Sequence, residues 1–240
     1  LGVFGWILSR AERIPNPAEL FADGLHHSAA IIERGNLAIK SETVYQTALT
    51  AKINANILSG AQLELHPYFM TSDDFITQNP TDALITIRGI FPVWDYQQVK
   101  AQLYGLDADL HLKLTPNLEW KSQFSTVRGR DLSHSEPLMM MVPTNFRNTL
   151  ELNIPAWRDA SVKVENITFA KQNHYPVRHV PLEVIENGQT VEKTLDLSTP
   201  PPGYSLWNVS AGFDIFKKLR ADFGVTNAAN IPPSDPNTPN

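Results

Sequence analysis

The chain has 240 residues, 42% of them hydrophobic and 19% charged, a composition that folds and that excludes a disordered chain. An acidic balance of 25 Asp+Glu against 20 Lys+Arg, with no basic cluster, argues against nucleic acid as a partner. Cysteine is absent, which excludes disulfide frameworks and thiolate metal sites, and no stretch reaches the roughly 18 apolar residues that a membrane-crossing helix needs.

The chain opens on "LGVFGWILSR", residues 1–10, which reads as a strand already under way; with no initiator methionine in front of it, the chain is expected to be a fragment. The long connection 11–41 carries a helix-start signature. Asn16 can cap, Pro17 fits the first helical position, Glu19 falls three residues after the cap, and Gly24 is a natural terminator. His26 and His27 follow directly, with Asp23 and Glu33 close by in sequence. Imidazole is the ligand type of zinc, copper, nickel and iron, haem iron included. Two readings of the pair stand at this point: exposed polar loop residues, or metal ligands supported by Asp23 and Glu33.

Period-two alternation then dominates. Strands are predicted at 42–56, 60–71, 94–114, 118–128, 143–154, 161–174, 204–215 and 219–229, making nine with the first. The clearest runs from Leu106 to Leu114, where Leu106, Ala108, Leu110, Leu112 and Leu114 alternate with Asp107, Asp109, His111 and Lys113. Most of the strands run ten residues or more, the length of a tilted bilayer-crossing strand, about 9–11 residues.

The connections sort by length. Long ones (11–41, 72–93, 129–142, 175–203) alternate strictly with short ones ("NILSG", "TPN", "PAWRDA" and 216–218). An up-and-down antiparallel sheet therefore has all its long loops at one end, as outer-membrane barrels do. Trp120, Trp157 and Phe216 fall at the short-turn end, where an aromatic girdle is expected. The fold expected is all-β: an antiparallel up-and-down transmembrane β-barrel, present as a partial barrel of about nine strands. Lys52, Glu64, Asp107, Asp109, Glu119 and Arg220 would face a wet lumen. Nine is an odd number, so further strands are expected outside residues 1–240. The tail from Pro232 to Pro239 reads as an extended loop.

Five of the seven histidines (His26, His27, His134, His174 and His179) lie in or beside long connections, while His66 and His111 sit at lumen-facing positions suited to plain hydrogen bonding. "VIENGQTV" at 184–191 is an Asn-Gly hairpin signal inside the last long loop, and "PLMMMVP" at 137–143 reads as space-filling or as a ligand rim. No nucleophile elbow, phosphate loop or HExxH motif appears, so no enzyme is expected.

Several segments resemble one family. "SRAERIPNPAELF" is similar to its "RAPxxxELY" segment, and "ERGNLAIKSE" to its "GNPNLKPE" segment. "QVKAQLYGLDADLHLKLTPNL" resembles its recurrent "arlyGlEaelsyrlt" strand, with Asp107 in place of Glu. "PPGYSLWNVSAGF" and "RADFGVTNAAN" are similar to strands near its C-terminus. The family is that of the TonB-dependent outer-membrane receptors.

The resemblance implies a 22-stranded barrel closed by an N-terminal plug, of which residues 1–240 would be the C-terminal portion of one barrel domain, about strands 13 to 21. The plug and the remaining strands would lie outside it. It also implies the outer membrane of a Gram-negative bacterium, and active uptake coupled to the TonB energy-coupling complex through the plug. Outer-membrane lipid and a small metal-containing ligand would be the other partners. Haem receptors of this kind carry a ligand histidine between the two loop motifs, and zinc receptors carry a loop similar to "ADGLHHSAA…ERG". His26 and His27 would then be metal ligands, with Asp23 and Glu33 in the same site, and zinc, haem or a ferric chelate would be the cargo rather than a resident cofactor. Two other readings remain to be separated: a passive porin-type channel and a soluble β-sandwich binding module.

Overall fold

The computed structural model describes residues 2–56, 60–198, 200, 202–216 and 218–229. The proline-rich tail and the centre of the "NILSG" turn lie outside them. One antiparallel sheet carries the chain back and forth in the order β1 (Gly2–Arg13), β4 (Glu42–Ala55), β5 (Ala61–Thr86), β6 (Gly89–Thr115), β7 (Leu118–Asp131), β9 (Asn145–Ile154), β10 (Ala160–Phe169), β13 (Tyr204–Phe216) and β14 (Leu219–Val225). These are the nine alternating strands, each paired with its sequence neighbour along this path. Smaller elements sit in the long connections: α1 (Pro17–Phe21), β2 (Asp23–His26), β3 (Ile31–Arg34), β8 (Glu136–Pro137), and a separate hairpin of β11 (His179–Glu186) and β12 (Gln189–Asp196).

Register turns the alternation into two chemically distinct faces, because opposed residues in a ladder point the same way. One row reads Gln62, His111, Lys121, Thr149, Glu165, Asn208 across six strands. A row on the other face reads Ala61, Leu112, Trp120, Leu150, Val164, Val209, Val225 across seven. No second layer covers this apolar face among the described residues: Phe223 and Val225 are 64% and 59% exposed. That disposes of the sandwich, which needs those side chains buried between two sheets. The sheet is a partial transmembrane barrel wall, oily outside and polar inside. Some rows depart from the pattern, as where Thr168 and Ser205 follow Phe124 and Phe146. Ser122, Asn148 and Asn166 lie on the apolar face, and Asn166 is satisfied within the sheet by Thr168 Oγ1 at 3.0 Å and the Leu206 carbonyl at 3.4 Å.

Three expectations need correction. Residues 72–93 are not an open loop: β5 and β6 continue their ladder to a turn at Ile87 and Arg88, past two bulges near Asp73 and Thr81. Pro80, which reads as a strand breaker, sits beside the second bulge, where a missing N–H is tolerated. The strands expected over 161–174 and 219–229 stop at Phe169 and Val225. The short helix ends at Phe21, capped by Ala22, so Gly24 belongs to β2 and terminates nothing.

The helix start is as expected. Asn16 accepts from the Glu19 amide at 2.9 Å, and Glu19 Oε2 accepts from the Asn16 amide at 2.8 Å. The buried carboxylates Glu19 and Glu42 then converge on Arg13, each at 2.9 Å, and tie the first long connection to the barrel rim.

Candidate ligand wall and outer loops

The polar face is concave. Gln62, Glu64, Asp109, His111, Lys121, Gln123, Arg147, Thr149, Glu151, Lys163 and Glu165, from five adjacent strands, line a recess of about 370 Å³. Its charges are cross-linked. Lys52 meets Glu64 at 2.5 Å, Lys121 bridges Glu119 and Glu151 at 3.6 and 3.5 Å, and Arg147 reaches Glu165 at 3.4 Å. His111 pairs with Glu119 at 3.0 Å and His66 with Thr50 at 3.2 Å, the hydrogen-bonding roles expected of the two strand histidines. A wall of paired charges exposed to water is built to hold hydrated polar matter.

At the outer end, β2 and β3 form a hairpin whose second strand runs parallel to β6, with Glu33 opposite Trp94. This hairpin sorts the four sequence candidates. His26 and Glu33 lie on one face, with Nδ1 and Oε1 3.7 Å apart, and Gln78 Nε2 donates to the same Glu33 oxygen at 3.2 Å. Asp23 alternates to the opposite face, where it joins Leu25, Ile32, Leu84, Phe91 and Arg88 around a separate recess of about 430 Å³. His27 is exposed beyond the end of β2. The structure thus brings His26 and Glu33 together and does not bring Asp23 to them.

Beneath Glu33, the buried Trp94 indole N–H and Asp95 Oδ1 have no hydrogen-bond partner among the described residues. Burial, reinforced by Glu33 and Glu19, pushes the Tyr96 phenol above its ordinary range.

A second cluster lies outside the sequence candidates. Asp131, His134 and Glu136 form the one group of three among the described residues whose ligand-type atoms all lie within 4.8 Å of one another. The local signal was the spacing "DLSHSE", which is too common to stand out without knowing that β8 folds back on β7. The "PLMMMVP" segment completes this return: Leu138 packs with Val99 and Ala101 into a small core that Phe75, Leu103 and Met141 flank, and Met139 is buried. Space-filling is what these residues do here. The Asn187–Gly188 turn of the β11–β12 hairpin has both residues at positive φ, 52° and 77°, as an Asn-Gly hairpin requires.

The family model "TonB dependent receptor-like, beta-barrel" matches residues 5–228. The chain belongs to this family. Among solved structures, "Copper transporter OprC" is 17% identical with a TM-score of 0.68, over 94% of this chain and 31% of its own. The siderophore receptor PirA from Acinetobacter baumannii is 15% identical with a TM-score of 0.65, over 99% of this chain and 36% of its own. The ferric enterobactin receptor PfeA of Pseudomonas aeruginosa is 19% identical with a TM-score of 0.61, over 95% and 33%. The chain spans about one third of the length of these structures, and the likeness at this identity is one of fold. A comparison with curated proteins found no match.

Proposed function

We propose that this chain is the C-terminal barrel portion of an outer-membrane receptor of a Gram-negative bacterium that takes up a small metal-containing ligand. Transport would be driven by the TonB complex acting through a plug seated against the polar wall. The observation that carries the metal assignment is the His26–Glu33 pair on an open outer hairpin. An imidazole and a carboxylate 3.7 Å apart, the imidazole half-exposed and with His27 adjacent, form a donor set suited to zinc or to the iron of haem. The copper and siderophore receptors among the similar structures support a metal or metal chelate as the cargo class. A passive channel would not need an outer hairpin of this kind.

The test is titration of the detergent-solubilised receptor with zinc and with haemin, before and after His26→Ala plus His27→Ala. A loss of about tenfold or more in affinity for one of the two supports the site and names the cargo type. Affinity unchanged for both would remove His26 and His27 from the function.

A further inference from the structure

Arg178 stands at the foot of the β11–β12 hairpin. Its amide donates to Ser198 Oγ at 2.9 Å, and its carbonyl accepts from the Leu197 amide at 2.9 Å, so its backbone closes the hairpin's base. Its guanidinium makes a two-pronged pair with Glu136 on β8, one contact being 2.6 Å. Glu136 lies opposite Asp131, which is on the wall-facing side of β7 and almost fully buried. One Asp131 oxygen is held by the amides of Ser133 and His134 at 2.7 and 3.1 Å, and the other faces His134 Nδ1 at 2.7 Å. The hairpin follows β10 in the chain but packs β11 against β5, which is separated from β10 in the sheet by β9, β7 and β6, and Val180 and Leu182 are buried. It is a flap fastened across the barrel mouth at one side by apolar packing and at the other by Arg178.

We propose that Asp131, His134 and Glu136 form a divalent-cation site that competes with Arg178 for Glu136, so that metal binding releases the flap. Two carboxylates with one guanidinium carry a net charge of −1. Replacing that guanidinium by a divalent ion brings the cluster to neutrality, with Arg178 keeping its proton and moving into water. The donor set, one imidazole nitrogen and two carboxylate oxygens, is that of zinc-type ions, whereas calcium and magnesium want six or more oxygens or several retained waters. Asp131 and His134 are positioned by bonds that do not involve Arg178, and the backbone pairing of β8 with β7 sets Glu136 opposite Asp131, so Glu136 has only to exchange its guanidinium for the ion. This latch is separate from the His26–Glu33 pair and independent of which cargo the receptor carries.

The experiment uses detergent-solubilised receptor carrying His26→Ala and His27→Ala, so that zinc at the cargo hairpin contributes nothing. Zinc affinity is measured by calorimetry, and amide hydrogen exchange over 179–196 is followed at fixed pH with and without zinc. Zinc should bind and speed flap exchange by about tenfold, a shift in opening of the size a single two-pronged ion pair supplies. His134→Ala should abolish that zinc response while leaving the flap protected. Arg178→Gln should tighten zinc binding and leave the flap fast without metal. The proposal is overturned if zinc does not bind, if flap exchange responds equally after His134→Ala, or if Arg178→Gln weakens zinc binding.

Discussion

Gly105 is where a single side chain decides whether two strands can sit side by side. A Cβ there would lie 2.5 Å from Tyr68 Cζ and closer still to the phenol oxygen and the Thr126 carbonyl, so the Tyr68 ring lies flat across a strand that has no side chain beneath it. Overpacking of this kind costs about 1–3 kcal/mol. Gly105→Ala should lower the unfolding temperature, read as loss of the heat-modifiable gel mobility of the folded barrel, and Tyr68→Ala in the same chain should restore it only in part, because the carbonyl clash remains. Tyr175 makes a second prediction. Burial raises its phenol above the ordinary value of 10.0. A raised folded value means that the stability it contributes is fully present below the unfolded value and is lost as pH rises through the folded one. The segment leading to the flap should therefore loosen above about pH 10, and a late-titrating phenol should disappear from the ultraviolet absorbance titration in Tyr175→Phe. A titration curve identical in wild type and variant would contradict the burial account.

At the scale of elements, the long connections are held by a few charged residues. Among the described residues Arg13 is the lone cation bonded to Glu19 and Glu42, both carboxylates being buried, and Glu42 also accepts from the Ile76 amide at 3.2 Å. Arg13→Ala leaves two carboxylates without their cation, at about 1–3 kcal/mol for lost charged hydrogen bonds. It should speed limited proteolysis between residues 14 and 41 without changing the stability of the barrel strands. Equal cleavage in wild type and variant would show that the connection is anchored elsewhere.

This is also the scale at which the sequence was least complete. Alternation located all nine wall strands because each has one oily and one wet face. The cap at Asn16 and the Asn187–Gly188 turn were legible because they need particular residue types. The outward growth of β5 and β6 was not, since Pro80 and Pro92 look like breakers and the bulges that accommodate such departures leave no mark in composition. Nor was the division of Asp23 from His26 and Glu33, which depends on β2 being a strand rather than the tail of a helix. The Asp131–His134–Glu136 cluster depends in turn on a two-residue pairing between β8 and β7 that no periodicity announces.

For the whole molecule, one inversion organises the account: apolar side chains point away from the concave side, where a water-soluble protein would gather them. A one-residue slip in register would carry Lys121, Arg147 and Lys163 into hydrocarbon, at about 2–4 kcal/mol for each such cation near the midplane, so the ladder is held by solvent on both sides. The family assignment and the similar structures agree with this inversion, and the paired charges of the inner wall give it a hydrated surface to present.

The most direct test uses the absence of cysteine from residues 1–240, with any cysteine elsewhere in the receptor replaced by serine. Single cysteines placed in turn from Leu106 to Lys113 are spin-labelled, and the receptor is reconstituted in lipid vesicles. Collision with oxygen, which partitions into lipid, should peak at Leu106, Ala108, Leu110 and Leu112. Collision with a water-soluble nickel chelate should peak at Asp107, Asp109, His111 and Lys113. Accessibility without a two-residue period, or with the two sets exchanged, would contradict the account.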